Sequence, residues 1–361
     1  MKCSKPKENE MKRFLVTASI LTALMLSTAL HSHADAYVMH ILRGGDVSFG
    51  RDINDSGQIV GTTHTFDPYI IRAVLWNSYW SDPQSLDEGN SRATAQLINN
   101  SGLVIGDHES PPGFTRPFRW SATTGVTNID VSFYLESVNE SGTIVGWKAT
   151  PDVRQVPVVV SNTGQLTYLD NTCGGIGGQA RDINDSGYVV GDSRGPDSSG
   201  GHASIWYEGD AVDIGTFGGT WSVAKAINNF GQVVGVYGDD NGAIGNFVWS
   251  LNNDTIFIPT CSLFDYGGFG PIDINDNGVV LGNTEINGVR TVLTWSMAGG
   301  FTIVGTGDPH AINNSGYIVG TLEESYGPGP SQAVVWEPVP EPSSLLALAV
   351  GLVPLILRRR R

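Results

Sequence analysis

Short apolar runs alternate along the chain with polar turns that end in glycine, and the alternation is periodic. One phrase recurs: an apolar residue, Asn, two further residues, Gly, one residue, two apolar residues and a second Gly. It is read first at 52–61, as Asp52-Ile53-Asn54-Asp55-Ser56-Gly57-Gln58-Ile59-Val60-Gly61, and again at 97–106, 137–146, 182–191, 226–235, 273–282 and 311–320. The first glycines of the copies are Gly57, Gly102, Gly142, Gly187, Gly231, Gly278 and Gly316, a mean spacing of about 43 residues. Periods of this size belong to propellers and repeat arrays.

The phrase predicts a β-hairpin. Asn-x-x-Gly between apolar stretches is a turn signal. The Asn side chain is expected to bond the backbone two residues on, and Gly to supply the positive φ of a bulge. Ile53 then lies on one strand, with Ile59 and Val60 on its antiparallel partner. The second glycine, Gly61 and its equivalents, marks a place where a side chain would obstruct a neighbour. A third strand follows, an apolar run ending in Trp76, Trp120, Trp206, Trp249, Trp295 or Trp336; the third copy instead has Val158-Val159-Val160-Ser161. A fourth short strand leads to a Gly-Gly turn, as in Val212-Asp213-Ile214-Gly215-Thr216-Phe217-Gly218-Gly219.

The seventh copy stops after Trp336 and lacks its fourth strand, while Val38 to Gly45 carries the fourth-strand phrase with no sheet of its own. An N-terminal strand that completes the last sheet closes a propeller and protects its edges. The expected fold is therefore all-β, a closed seven-bladed β-propeller over residues 37–338. An open or solenoid array is the alternative, and a parallel β-helix fits antiparallel hairpins poorly.

The 361 residues carry a formal net charge of −15. Both ends are basic, so residues 37–338 are more acidic still, with 12 Lys and Arg against 32 Asp and Glu. Such a surface repels nucleic acid and anionic headgroups, and solubility is its ordinary explanation.

The ends read differently from the middle. Lys12 and Arg13 precede an apolar run from Phe14 to Leu30, then Ala34-Asp35-Ala36. A basic flank, an apolar core and small residues at Ala34 and Ala36 make a secretory signal peptide over 1–36. At the other end, residues 339–361 hold Pro340-Glu341-Pro342, a short apolar segment from Leu345 to Leu357, and Arg358, Arg359, Arg360 and Arg361. The segment is short for a membrane span, and the arginines hold its end on the cytoplasmic side.

This tail resembles a PEP-CTERM sorting signal. The resemblance implies recognition by an exosortase, an inner-membrane thiol peptidase, and transient residence of the tail in that membrane. It also implies a Gram-negative host that makes exopolysaccharide. The repeats resemble those of the HAF-repeat extracellular proteins. The fifth copy fits best, with Gly218-Gly219, Ser222, Ala224, Ile227-Asn228, Gly231-Gln232-Val233-Val234-Gly235 and Trp249. That resemblance implies a secreted repeat protein and supplies no catalytic residues.

No catalytic constellation, phosphate loop or paired-His zinc spacing stands out, and no cofactor is expected. Asp273, Asn275, Asn277 and Gly278 imitate part of a calcium loop, but its twelfth position is Thr284 rather than the bidentate Glu that such a loop needs. Cys173 and Cys261 follow the fourth strands of their copies, two blades apart, where a disulfide is hard to close. His64, His108 and His310 would fall on neighbouring blades of a closed ring, and scattered surface histidines are the plainer reading. Three tryptophans lie off the periodic position, Trp80 (after Tyr79), Trp147 and Trp221. Exposed aromatics stack on sugar rings, so these are the candidate ligand-binding residues. The function expected is a non-catalytic binding or structural role in an extracellular polysaccharide or biofilm matrix. The alternative is a propeller hydrolase or lyase, which requires two carboxyl groups about 5–10 Å apart; convergent acidic residues in a central funnel would favour it.

Overall fold

The structure, a computed structural model, describes residues 36–339 except 88–91, 110–114, 152–154, 176, 196–199, 253, 261–267 and 323–329. The signal peptide up to residue 35, Ala34 included, and the sorting tail from Pro340 to Arg361 lie outside the described residues, as does Cys261. Among the described residues no helix is long and apolar enough to cross a membrane.

Seven antiparallel sheets of four strands each form the seven blades. Blade 4 shows the pattern: Gly177–Ile183, Val189–Arg194, His202–Tyr207 and Asp210–Gly215, paired in sequence order. Blade 7 is composite. Asp308–Ile312, Ile318–Leu322 and Gln332–Pro338 come from the C-terminal side, and Tyr37–Ile41 pairs antiparallel with Gln332–Pro338 as its outermost strand. The first strand of blade 1, Val47–Ile53, packs against all three C-terminal strands of blade 7. The ring is closed, so the open array is excluded.

The local chemistry of each hairpin follows the sequence. In all seven turns the backbone N–H of the first glycine donates to the Asn carbonyl, for example Gly57 to Asn54 at 3.0 Å, and the glycine φ is positive, +76° at Gly57. The Asn side chain does more than expected. Its Oδ1 accepts from the residue four positions on in every turn, as from Gln58 N–H at 2.9 Å. The residue two positions on also donates to it, through its backbone at Phe230, Asn277 and Ser315 and through its hydroxyl at Ser101 and Ser141. The turn is therefore bridged by the side chain across its whole width, which holds both hairpin strands in register.

The second glycine has a steric cause. A Cβ built on Gly146 would lie 1.8 Å from the Tyr134 carbonyl oxygen, and one on Gly61 would lie 2.0 Å from that of Phe49. At this level the first strand of every blade carries a bulge, which turns its carbonyl toward the second strand.

The apolar core is divided into clusters, each spanning two adjacent blades. Each periodic Trp stands on a third strand and packs against the preceding blade. Trp249 of blade 5 meets Val190, Ala203 and Ile205 of blade 4, and Trp76 of blade 1 meets Val319, Ala333 and Val335 of blade 7. Blade 3 has no such Trp; Val158 and Val160 pack there with Phe133 and Ile105.

Candidate functional site

The seven first strands surround a central channel, and near their hairpin ends they line a cavity of about 520 Å³. Four tiers of side chains line it, set by position relative to the turn Asn.

The turn Asn itself forms the first tier. Asn54 Nδ2 donates to the Asn99 carbonyl, Asn99 to Asn139, and so on through Asn184, Asn228, Asn275 and Asn313, which returns to Asn54. All seven bonds lie between 3.0 and 3.2 Å and are buried. The next residue forms a second tier at the mouth: Asp55, Asn100, Glu140, Asp185, Asn229, Asp276 and Asn314. Each backbone N–H here donates to the side chain of the corresponding residue one blade on, at 2.6–2.9 Å, and this ring closes too.

Deeper in the channel stand Asp52, Asp182 and Asp273, two residues before the Asn of blades 1, 4 and 6. Each accepts from its own following Ile N–H and from an Ile N–H of the next blade, so each bridges two blades. Ser137 also donates to Asp182, at 2.6 Å. Withdrawal from bulk water pushes Asp52 and Asp182 up to about 7, against the opposing effect of those N–H bonds, and raises Asp273 too.

Bulge residues supply the innermost charges. Arg51, Glu136, Arg181, Lys225 and His310 face the channel. Arg181 pairs with the buried Asp192, and Trp147 Nε1 donates to Glu136. Burial lowers Lys225 and raises Glu136, and burial with nearby Arg51 drops His310 to about 4.

The funnel thus has the convergent carboxylates that would favour a hydrolase; several of them bond the rings, while Glu136 faces the channel and is held by Trp147 Nε1. Glu140 takes N–H bonds from Asn100 and Ser101, and Asp55 takes bonds from Asn314 and Asn100. The oxygens of Asp273 and Asn275, which mimic calcium ligands in sequence, are likewise spent on backbone N–H groups.

The three off-period tryptophans are not brought together. Trp147 is half-buried, stacked on Tyr134 with ring centroids 3.8 Å apart. Trp221, half-buried at the start of a strand of blade 5, packs where Gly200 and Gly238 leave it room. Trp80 alone of the three is open, with 65% of its surface exposed, edge-on to Tyr79 at 4.2 Å. It walls a pocket of about 190 Å³ where blade 1 meets blade 7, lined also by Ser56, Ser78, Tyr79, Ser315 and Tyr317. Tyr79 and Tyr317 both donate to Glu337 at 2.9 Å, and His40 stacks on Tyr79, which fixes the pocket's floor. Asp82, beside Trp80 in sequence, pairs with Arg43 instead. Tyr79 and Tyr317 come from opposite ends of the chain, and no local signal in the sequence pairs them.

The three histidines do not converge. His108 is buried against Asp87 and Asn128, His64 lies between Phe49 and Tyr69, and His310 faces the channel near Thr321. Cys173 is a free thiol.

No family model matches the chain, and no curated protein matches it. Solved structures do resemble it. The β-propeller domain of the trilobed protease from Pyrococcus furiosus, which has an open velcro topology, aligns with TM-score 0.56 and 13% identity over 81% of this chain and 94% of that one. Streptogramin B lyase aligns with TM-score 0.54 and 10% identity over 84% and 98%. TolB from Acinetobacter baumannii aligns with TM-score 0.50 and 12% identity over 79% and 67%. The likeness establishes a β-propeller and nothing finer. Unlike the protease domain, this ring is fastened by its N-terminal strand.

Proposed function

We propose that this is an exported, envelope-sorted propeller that acts in the extracellular matrix as a non-catalytic binding module for polysaccharide, with the Trp80 pocket as its ligand site. The exposed Trp80 ring, in a pocket it shares with Ser56, Ser78 and Ser315, carries the reading. An exposed indole supplies the stacking surface that a sugar ring uses, and serine hydroxyls among the pocket residues are of the type that bonds a sugar's own hydroxyls. The pocket is smaller than the roughly 300–1,000 Å³ that encloses a drug-sized ligand. It suits one residue of a chain that continues over the surface. The signal-peptide and PEP-CTERM resemblances at the two ends support export and sorting by an exosortase in a Gram-negative host. The engagement of the funnel carboxylates by backbone N–H groups supports the non-catalytic part.

The test is binding of the protein to the host's exopolysaccharide, by titration calorimetry and by retention on an immobilised glycan. Saturable binding that Trp80→Ala weakens tenfold or more, while Trp147→Ala and Trp221→Ala retain it, is the expected result. Equal binding by Trp80→Ala would remove the pocket from the reading, and cleavage of the polysaccharide would replace the non-catalytic role with an enzymatic one.

A further inference from the structure

We infer that Cys173, His202 and Asp213 form a binding site for a borderline-soft divalent cation, zinc in the first instance, where the loop from blade 3 meets the outer strands of blade 4. The Sγ of Cys173, a ring nitrogen of His202 and a carboxylate oxygen of Asp213 all lie within 4.8 Å of one another. Thiolate, imidazole and carboxylate together are the donor set that Zn²⁺ takes, and three protein ligands leave a fourth position for water. At Zn–ligand lengths of about 2.0–2.3 Å, tetrahedral neighbours stand roughly 3.3–3.6 Å apart. His202 Nδ1 and Asp213 Oδ2 are now bonded at 2.7 Å. Closing the site therefore changes each separation by about 1.5 Å at most, within reach of side-chain rotation.

Each ligand is aimed by its surroundings. His202 opens the third strand of blade 4, and Asp213 lies on the fourth. A bulge there sets Ala203 opposite Gly215 but Ser204 opposite Asp213, so His202 and Asp213 become diagonal neighbours. Gly215 N–H holds Asp213 Oδ1 at 2.8 Å and leaves Oδ2 for the ring. Cys173 arrives on the loop from blade 3. Asn171 clamps that loop: its Oδ1 accepts from Cys173 and Gly175 N–H, and its Nδ2 donates to the Gly177 and Arg194 carbonyls. Thr172, bonded to the buried Ser204 hydroxyl at 2.8 Å, ties the loop to the His202 strand. From blade 5, Ser222 accepts from Ala203 N–H and donates to the Gly215 carbonyl, which locks the two strands together. Half-exposed His202 and exposed Asp213 leave the site open to an incoming ion.

The experiment is titration of the reduced full-length protein with Zn²⁺ and, as a spectroscopic probe, Co²⁺. One equivalent should bind, Co²⁺ should give a thiolate-to-metal charge-transfer band in the near ultraviolet, and Zn²⁺ should displace it. Cys173→Ser should abolish the band. Cys3→Ser with Cys261→Ser should keep it. His202→Ala and Asp213→Asn should weaken Zn²⁺ by about tenfold or more, with circular dichroism confirming that each variant folds. A band that survives Cys173→Ser, or none in the parent protein while Cys173 alkylates rapidly, would overturn the site; the second outcome would mark a nucleophilic thiol. Neither result bears on the Trp80 pocket, which lies at the junction of blades 1 and 7.

Discussion

Asn313 Nδ2 donates to the Asn54 carbonyl at 3.0 Å, although the two residues stand 259 positions apart in the chain. The bond closes a buried ring of seven, while the same Asn313 uses Oδ1 to hold Tyr317 N–H at 2.9 Å. Asn313→Ala removes a donor and an acceptor from a buried place; the Tyr317 and Ser315 N–H groups lose their acceptor, while the Asn54 carbonyl keeps only the Gly57 N–H. The expected loss is about 2–4 kcal/mol, read as a lower urea midpoint. Asn313→Asp keeps the acceptor but sets an oxygen against the Asn54 carbonyl, so it should be no milder. A midpoint unchanged in both would mean that the ring contributes nothing to closure.

Glycine substitutions should separate two physical causes. Gly57 needs a positive φ but has open space around it, so Gly57→Ala should cost about 1–2 kcal/mol. In Gly146→Ala the new Cβ would meet the Tyr134 carbonyl at 1.8 Å. The strand pair must part there, and the loss should exceed that of Gly57→Ala by several-fold or prevent folding. Thermal midpoints of the two variants, measured side by side, decide this.

The periodic tryptophans differ in one atom's circumstances. Trp76 Nε1 donates to the Arg43 carbonyl at 2.7 Å, whereas Trp336 Nε1 is buried with no hydrogen-bond partner. Trp76→Phe loses a bond and orphans a carbonyl; Trp336→Phe relieves an unpaired donor. The first should be more destabilising by about 1–2 kcal/mol, despite equal burial of the rings.

The channel acids predict a pH dependence. Asp52 and Asp182 have folded-state values raised to about 7 from an ordinary 3.8. A raised folded value means that the native state binds the proton more tightly than the unfolded chain. Their contribution is therefore fully present below about 3.8 and is lost as pH rises through about 7. Each carboxyl adds a slope of up to about 1.4 kcal/mol per pH unit in that window. Asp52→Asn with Asp182→Asn should flatten the decline of thermal midpoint between pH 5 and pH 8. An identical slope in parent and double variant would show that these groups titrate normally.

Much of the fold was legible because its causes are local. The Asn-x-x-Gly turns and the second glycine opposite each bulge act within one blade, a Trp ends six of the seven third strands, and seven copies made the pattern unmistakable. The unpartnered fourth-strand phrase at Val38 to Gly45 and the missing last strand together announced closure. The turn Asn was read correctly as a hairpin residue, but its Nδ2 reaches the next blade, 38 to 47 residues away along the chain in six copies and 259 at the closure. The acids at 52, 182 and 273 appeared only as surface charge or failed calcium ligands, since their partners are N–H groups of another blade.

The candidate sites divide in the same way. Residue type and off-period position, both visible in the sequence, were enough to single out Trp80, Trp147 and Trp221. Exposure was not visible, and only the tertiary structure separates open Trp80 from stacked Trp147 and half-buried Trp221. Nothing in the spacing of Cys173, His202 and Asp213 joins them, because a loop from one blade and a bulge in the next bring them together. Sequence by itself determined what each blade is, since a blade is a matter of neighbouring residues and backbone sterics. The tertiary structure decided which side chains of different blades meet, because only closing the ring turns seven separate edges into shared junctions.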